Sequence, residues 1–272
     1  MKTALSAFVY LNYPLDEAIR RIASAGYDGV DIWGGRPHAY RRDLTPEDTG
    51  RLRSLLAAFK LGAASFIPAQ FRYPTCLCSN NEIIRRDSVA YIKDSVETAA
   101  ALGAPVVSVC PGHTLFGQTT ADGWQRLGES LGEICDRAQA YDLRIAIEPA
   151  DRYETDLIAT TADAMRMIRE LGKPNLGVVL DTGHAHVVGE SFGEAVSAMG
   201  ERLFHVHIDD NNGLRDQHLV PGDGVIDLAA FVALMRRAGY TGYLSAELSW
   251  DYTLDPDTAA QTALARLKAL LA

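Results

Sequence analysis

Four residues with metal-ligand side chains stand at or near the ends of four short apolar runs. Glu148 follows Arg144-Ile145-Ala146-Ile147, and Asp181 follows Gly177-Val178-Val179-Leu180. His207 lies in Phe204-His205-Val206-His207-Ile208, and Glu247 follows Tyr243-Leu244-Ser245-Ala246. Three carboxylates brought together repel one another and are driven toward protonation, a penalty that a divalent cation removes. One imidazole with three carboxylates is a hard, oxygen-rich set, suited to Mn²⁺, Mg²⁺ or Co²⁺ rather than to a thiolate zinc site. A single acid at a strand end is ordinarily solvated or salt-bridged, but four successive ends of this kind are hard to attribute to chance. His205 shares a face with His207, because strand side chains alternate with period two. It reads as a satisfied core histidine one layer deeper.

The elements that must position these residues alternate along the whole chain. Apolar runs predict strands at Ala4 to Val9, Gly29 to Trp33, Leu61 to Ile67, Val106 to Val109, Leu143 to Ile147, Leu176 to Leu180, Leu203 to Ile208 and Tyr243 to Leu248. Helical patterns lie between them. One begins at Thr45-Pro46-Glu47-Asp48, a hydroxyl cap followed by proline and acids in the first turn. Others are predicted over Ile83 to Leu102, Trp124 to Tyr141, Thr161 to Leu171, Phe192 to Met199, Leu228 to Ala238 and Thr258 to Leu271. Strict alternation implies a parallel sheet, and eight repeats imply closure into a single (β/α)8 TIM barrel over 1–272, with an open doubly wound sheet as the rival. The irregular stretches after the strands would then gather at the C-terminal face, where the active sites of such barrels sit.

Composition narrows the setting. With 272 residues, 47% of them apolar, the chain can bury a large core, and no run approaches the roughly 18 apolar residues of a membrane span. The N-terminal stretch reads as a first strand rather than a signal peptide, so a cytoplasmic protein with no membrane partner is expected. A net charge of −9 disfavours a nucleic-acid partner. Cys76, Cys78, Cys110 and Cys135 lack paired CxxC spacing and read as reduced thiols.

These segments resemble the xylose-isomerase-like barrel superfamily of sugar isomerases, epimerases and AP endonucleases, over nearly the whole chain. Glu148-Pro149-Ala150-Asp151-Arg152-Tyr153-Glu154-Thr155 looks like the E-P-x-N-R-Y-E-T motif of ketose 3-epimerases of the tagatose type, with Asp151 replacing the usual Asn. Asp181-Thr182-Gly183-His184 and His205-Val206-His207 look like their D-T-x-H and H-x-H segments. Gly26 to Tyr40, and Asp216-Gln217-His218 followed by Pro221-Gly222-Asp223-Gly224, look like fructoselysine 3-epimerases.

The resemblance implies an epimerase or isomerase of a ketose or ketose derivative, with C3 epimerisation leading. Glu148, Asp181, His207 and Glu247 would hold one divalent ion, Mn²⁺ first with Mg²⁺ or Co²⁺ as alternatives. Glu148 and Glu247 would be the catalytic acid/base pair, exchanging the C3 proton through a metal-stabilised enediolate. Glu154 and His184 would bind the sugar near its carbonyl. Arg215 is the nearest candidate for the family's arginine after strand seven, which has no position-for-position match. Trp33 and Phe66, with Phe71 and Tyr73, could wall the sugar pocket, although core or loop packing explains any one of them equally well. His218, in its D-x-H pair with Asp216, would orient the substrate or a loop. Arg36 and His38 would either contact a substrate tail or belong to a solvated loop. A homo-oligomer, dimer or tetramer, is also implied.

Three rival functions remain. A dehydratase or lyase on a keto-sugar or keto-inositol would use the same metal site. A zinc AP endonuclease lacks support: its His-Pro-Gly motif is replaced by Cys110-Pro111-Gly112, and its histidine after strand three has no counterpart among Ser65, Phe66 and Ile67. A non-catalytic sugar-binding barrel would tolerate loss of both glutamates.

Overall fold

A computed structural model of the chain describes residues 1–70 and 75–272, so Phe71 and Tyr73 lie outside the described residues. Eight parallel strands close into a barrel in sequence order. They are β1 (Lys2–Ser6), β2 (Gly29–Trp33), β3 (Gly62–Ile67), β4 (Val106–Val109), β5 (Arg144–Ile147), β6 (Leu176–Asp181), β7 (Leu203–Ile208) and β8 (Tyr243–Ala246). Closure is made by β1 pairing with β8, Lys2 opposite Tyr243 through Leu5 opposite Ala246. The open-sheet alternative is thereby excluded.

The described helices are α1 (Leu15–Ala25), α2 (Pro46–Phe59), α3 (Glu82–Leu102), α4 (Thr120–Gln139), α5 (Thr161–Leu171), α6 (Thr182–Val187), α7 (Phe192–Met199), α8 (Leu228–Arg237) and α9 (Pro256–Leu271). Their limits follow from capping chemistry. Thr45 caps α2 as the sequence predicts, and Asp48 returns to the Thr45 N–H to complete a reciprocal capping box. Thr119 caps α4, so that helix begins four residues before the expected Trp124. Gly26 ends α1 at φ +98°, a left-handed conformation that glycine adopts without penalty.

Two expectations need correction. The first strand stops at Ser6, and Ala7–Tyr10 forms a 3₁₀ turn. α6 was not anticipated: Asp181 ends β6 and at once caps this short helix, its carboxylate accepting from the His184 N–H.

Helix faces carrying Leu15, Ala18, Ile19 and Ile22, or Val89, Ile92, Val96 and Ala99, pack against the outward faces of the strands. Each such side chain, fully buried, contributes about 1.5–3 kcal/mol in the case of Val, Leu or Ile. Inside the barrel, Val106, Ala146 and Val179 form a small apolar layer. Two residues further along the same strands stand Ser108, Glu148 and Asp181. The barrel interior therefore passes from apolar to polar toward its C-terminal end.

Candidate active site

Asp31 on β2 touches His205 and His207 on β7, although β1 and β8 separate these strands around the barrel. The contact crosses the interior and locates both histidines there.

Glu148 lies just beyond β5, where its N–H donates to the Val109 carbonyl at 3.1 Å and continues the β4–β5 ladder. Its Oε1 is 2.5 Å from His207 Nδ1, and its Oε2 accepts from the Ser108 hydroxyl at 3.0 Å. Glu247 Oε2 lies 3.0 Å from the same His207 Nδ1. Asp181 uses Oδ1 to cap His184 N–H at 2.7 Å, leaving Oδ2 buried and without a hydrogen-bond partner among the described residues. One ligand atom from each of Glu148, Asp181, His207 and Glu247 lies within 4.8 Å of the other three. A buried acceptor with no partner is costly, and a cation resolves that cost. The donor set and the orphaned Asp181 oxygen fit a hard divalent ion.

The electrostatics follow from crowding. Burial pushes the Glu148 carboxyl up, but the His207 ring, helped by His184 and Ser108, outweighs it and holds the group at about 2. Burial, then the neighbouring Asp209 carboxylate, drives Asp181 well above the ordinary carboxylate range. Burial would strip the proton from His207, but Glu148 and Glu247 retain it and raise its pKa well above the ordinary value.

A second polar group adjoins the first. His218 Nε2 is 2.7 Å from Asp216 Oδ2, and its Nδ1 is 2.9 Å from Asp209 Oδ2. His184 Nδ1 lies 3.4 Å from Asp216 Oδ2 and accepts the Asp151 N–H at 3.2 Å. The His184 and His218 rings meet edge to face at 5.6 Å. Gly183 is required here: a Cβ would come within 2.4 Å of Asp216 Oδ1 and 2.6 Å of Asp209 Oδ2. His218 itself holds φ +43°, uncommon for a residue with a side chain. Glu154 is half-buried nearby, its pKa raised by burial and partly offset by His184 and His218.

The remaining expected site residues are distributed differently. Trp33 is half-buried at the end of β2, edge-on to Phe8 at 4.9 Å. Phe66 has no exposed surface and shares the outward face of Ile32, its register partner, with its ring beneath Gly34. It braces the rim from behind instead of lining a pocket. Arg215 is exposed, and the groups that approach His184 from that loop are Asp216 and His218. Arg36 is tied to Asp43 at 2.5 and 2.8 Å, and buried His38 bridges the Tyr10 and Tyr13 carbonyls at 3.1 Å, so both have structural partners.

Sequence reasoning did not single out Asp31, Ser108 or Asp209. Asp31 offered a signal, a carboxylate between Val30 and Ile32 in an otherwise apolar strand. Ser108 and Asp209 become informative only through their contacts with the neighbouring strand ends, Ser108 with Glu148 and Asp209 with Thr182.

A closed eight-stranded barrel with an acidic, histidine-bearing C-terminal end defines a class, and the sequence profile of the xylose isomerase-like TIM barrel matches residues 19–270. The chain belongs to that family. It is 29% identical over 271 residues to the fructoselysine 3-epimerase of Shigella flexneri, covering 100% of this chain and 98% of that one. Its backbone superposes on a D-psicose 3-epimerase crystallised in the presence of D-fructose with a TM-score of 0.83, at 19% identity and 100% and 99% coverage. It also superposes on the IolI protein with a bound zinc atom, with a TM-score of 0.80, 22% identity and 99% and 98% coverage.

Proposed function

We propose that this protein is a metal-dependent 3-epimerase of a ketose or ketose derivative. The observation that carries the reading is the convergence of Glu148, Asp181, His207 and Glu247 ligand atoms within 4.8 Å, across four consecutive strand ends. The similarity to a fructoselysine 3-epimerase and to a D-psicose 3-epimerase supports the reaction class, and the zinc-bound neighbour supports a divalent ion. Mn²⁺ is the first choice for so oxygen-rich a set, with Mg²⁺ and Co²⁺ as alternatives.

Glu148, Asp181, His207 and Glu247 would hold the ion. When bound, it would polarise the ketone and stabilise the charge that develops on the carbonyl oxygen. Glu148 and Glu247 come from β5 and β8, on opposite sides of His207 in strand order. One would take the C3 proton and the other would return a proton to the opposite face, inverting that centre. Ser108 would hold Glu148 in place through its Oε2. His184, with Nδ1 occupied by the Asp151 N–H, would present Nε2–H to a sugar oxygen. Glu154 and His218 would flank the same oxygens. Trp33 would provide an apolar wall.

The test is deuterium incorporation followed by NMR. Mn²⁺-loaded protein is incubated in D2O with fructose, tagatose, psicose, ribulose and fructoselysine. Deuterium at C3 together with the inverted product, and none with Glu247→Gln, is the expected result. Exchange at C1 or C2 instead would replace the assignment with aldose–ketose isomerisation. Net loss of water by mass spectrometry would replace it with a lyase.

A further inference from the structure

His207 can give a lone pair to an ion among Glu148, Asp181 and Glu247 from only one of its nitrogens. Nδ1 is the one that faces them, at 2.5 Å from Glu148 and 3.0 Å from Glu247. Its proton must then reside on Nε2. That nitrogen lies 3.4 Å from Asp31 Oδ2, longer than an ordinary hydrogen bond, and neither it nor Asp31 Oδ1 has a hydrogen-bond partner among the described residues.

Asp31 is wholly buried on β2, across the barrel from β7. The same Oδ2 accepts His205 Nε2–H at 3.0 Å. His205 and His207 stand edge to face with centroids 5.1 Å apart and planes at 86°. One carboxylate oxygen thus faces two imidazoles of the same strand, bonded to His205 and 3.4 Å from His207 Nε2. His205 fixes the carboxylate from the deeper layer, and the carboxylate faces the metal-side ring from behind. Without an acceptor at Nε2, the neutral ring would place its proton on Nδ1, against Glu148, and would offer the cluster no lone pair.

We infer that Asp31 is a positioning residue, which selects the Nε2–H tautomer of His207 and so makes Nδ1 the ligand. This rests on the metal-site reading above. A carboxylate behind a ligating histidine also raises the basicity of the ring, and loss of such a partner typically weakens metal affinity by about 10–100-fold. His205 acts one step further back, through Asp31.

Two measurements decide it. Metal-free protein is titrated calorimetrically with Mn²⁺, comparing the parent with Asp31→Asn, Glu247→Gln and Ser65→Ala. Ser65, the buried register partner of Asp31, controls for a mere disturbance of that layer. The expected result is a Kd about 10–100-fold weaker for Asp31→Asn, with Ser65→Ala unchanged. In the second measurement, the unsubstituted protein, ¹⁵N-labelled at histidine and loaded with Zn²⁺, is examined by long-range ¹H–¹⁵N correlation. His207 is expected to carry its proton on Nε2. A parent that binds Mn²⁺ while Asp31→Asn binds it within twofold overturns the role of Asp31 and leaves the metal site standing. His207 protonated on Nδ1 and ligating through Nε2 overturns it even if Asp31→Asn fails to fold. A parent that takes up no ion, or binding unaffected by Glu247→Gln, overturns the metal-site reading and this inference with it.

Discussion

Asp181 on β6 and His207 on β7 are register partners, and they are so because the register slips by one residue lower in the same pair of strands. Val178 pairs with Leu203, but Val179 pairs with His205, so Phe204 is the extra residue. A one-residue slip reverses the face that each following side chain occupies. It places His205 and His207 in the barrel interior with Asp181.

Gly177 is what accommodates the bulge. A Cβ at this position would come within 2.5 Å of the Phe204 ring and of the Arg202 carbonyl. Gly177→Ala is therefore expected to lower stability by about 1–3 kcal/mol, the usual cost of overpacking. It should also weaken Mn²⁺ binding, because the displaced segment carries His207. Gly132→Ala, inside α4 with nothing within 4 Å of its would-be Cβ, should instead stabilise by about 0.5–1 kcal/mol. Thermal melts of the two variants, read with calorimetric Mn²⁺ titration, check both signs. A Gly177→Ala protein with unchanged melting and metal affinity would remove the bulge from the account of the site.

Glu148→Gln and Glu247→Gln preserve shape but remove the carboxylate proposed to transfer the proton. General acid–base catalysis contributes about 10²–10⁴-fold, so each variant should lose at least that much turnover at saturating Mn²⁺. Losses confined to KM would show that the two glutamates bind without transferring protons. The C3 deuterium assay run at several substrate concentrations separates the cases.

The barrel was legible because its evidence is periodic: apolar strand runs, capped helices and eightfold alternation. The four residues whose ligand-type atoms converge were legible because each stands at or near the end of an apolar run. What escaped depends on closure or on local capping. Phe66 follows an apolar pattern that does not say which face points inward, and the structure turns it outward with Ile32. Asp31 acquires its meaning from contact with residues 174 and 176 positions away, which only a closed barrel supplies. α6 was hidden because Asp181 serves both as a strand end and as a helix cap, and its sequence reads as a strand terminus alone.

The stability of the metal-free protein should peak in weakly acidic to neutral solution. Glu148 and Asp216 are held at about 2 against burial, by His207 in the first case and by His218 and His184 in the second. A carboxylate depressed on folding stabilises above its unfolded pKa, and that contribution is lost as pH falls from about 4 toward 2. His218 is raised well above its ordinary value: burial opposes the proton, but Asp216 and Asp209 outweigh it. Its contribution is complete below about 6.5 and is lost as pH rises through the folded value. Asp181 is raised by burial and Asp209, so its contribution is complete below about 4 and is lost as pH rises from there through the folded value. Melting temperatures in EDTA should therefore fall on both sides, and Mn²⁺ should flatten the alkaline limb by neutralising the carboxylates. A metal-free protein equally stable from pH 4 to 9 would contradict this coupling.

Cys76 and Cys78 supply a further probe. Their sulfurs are 3.6 Å apart, and the Cys76 thiol also approaches the His113 carbonyl at 3.7 Å. The Cys78 thiol lowers the Cys76 pKa to about 7, while Cys78 itself is pushed up by that bond and by burial. The thiolate is the nucleophile, so Cys76 should alkylate with iodoacetamide with a midpoint near pH 7, while Cys78 and the buried Cys135 stay protected. Cys78→Ser leaves only a hydroxyl beside the sulfur, a different donor at a different distance. Cys78→Ala removes the donor outright and should move the midpoint upward. Peptide mapping by mass spectrometry across pH 5–10 reads each cysteine separately. A Cys76 midpoint unchanged in Cys78→Ala would show that the neighbouring thiol does not set its reactivity.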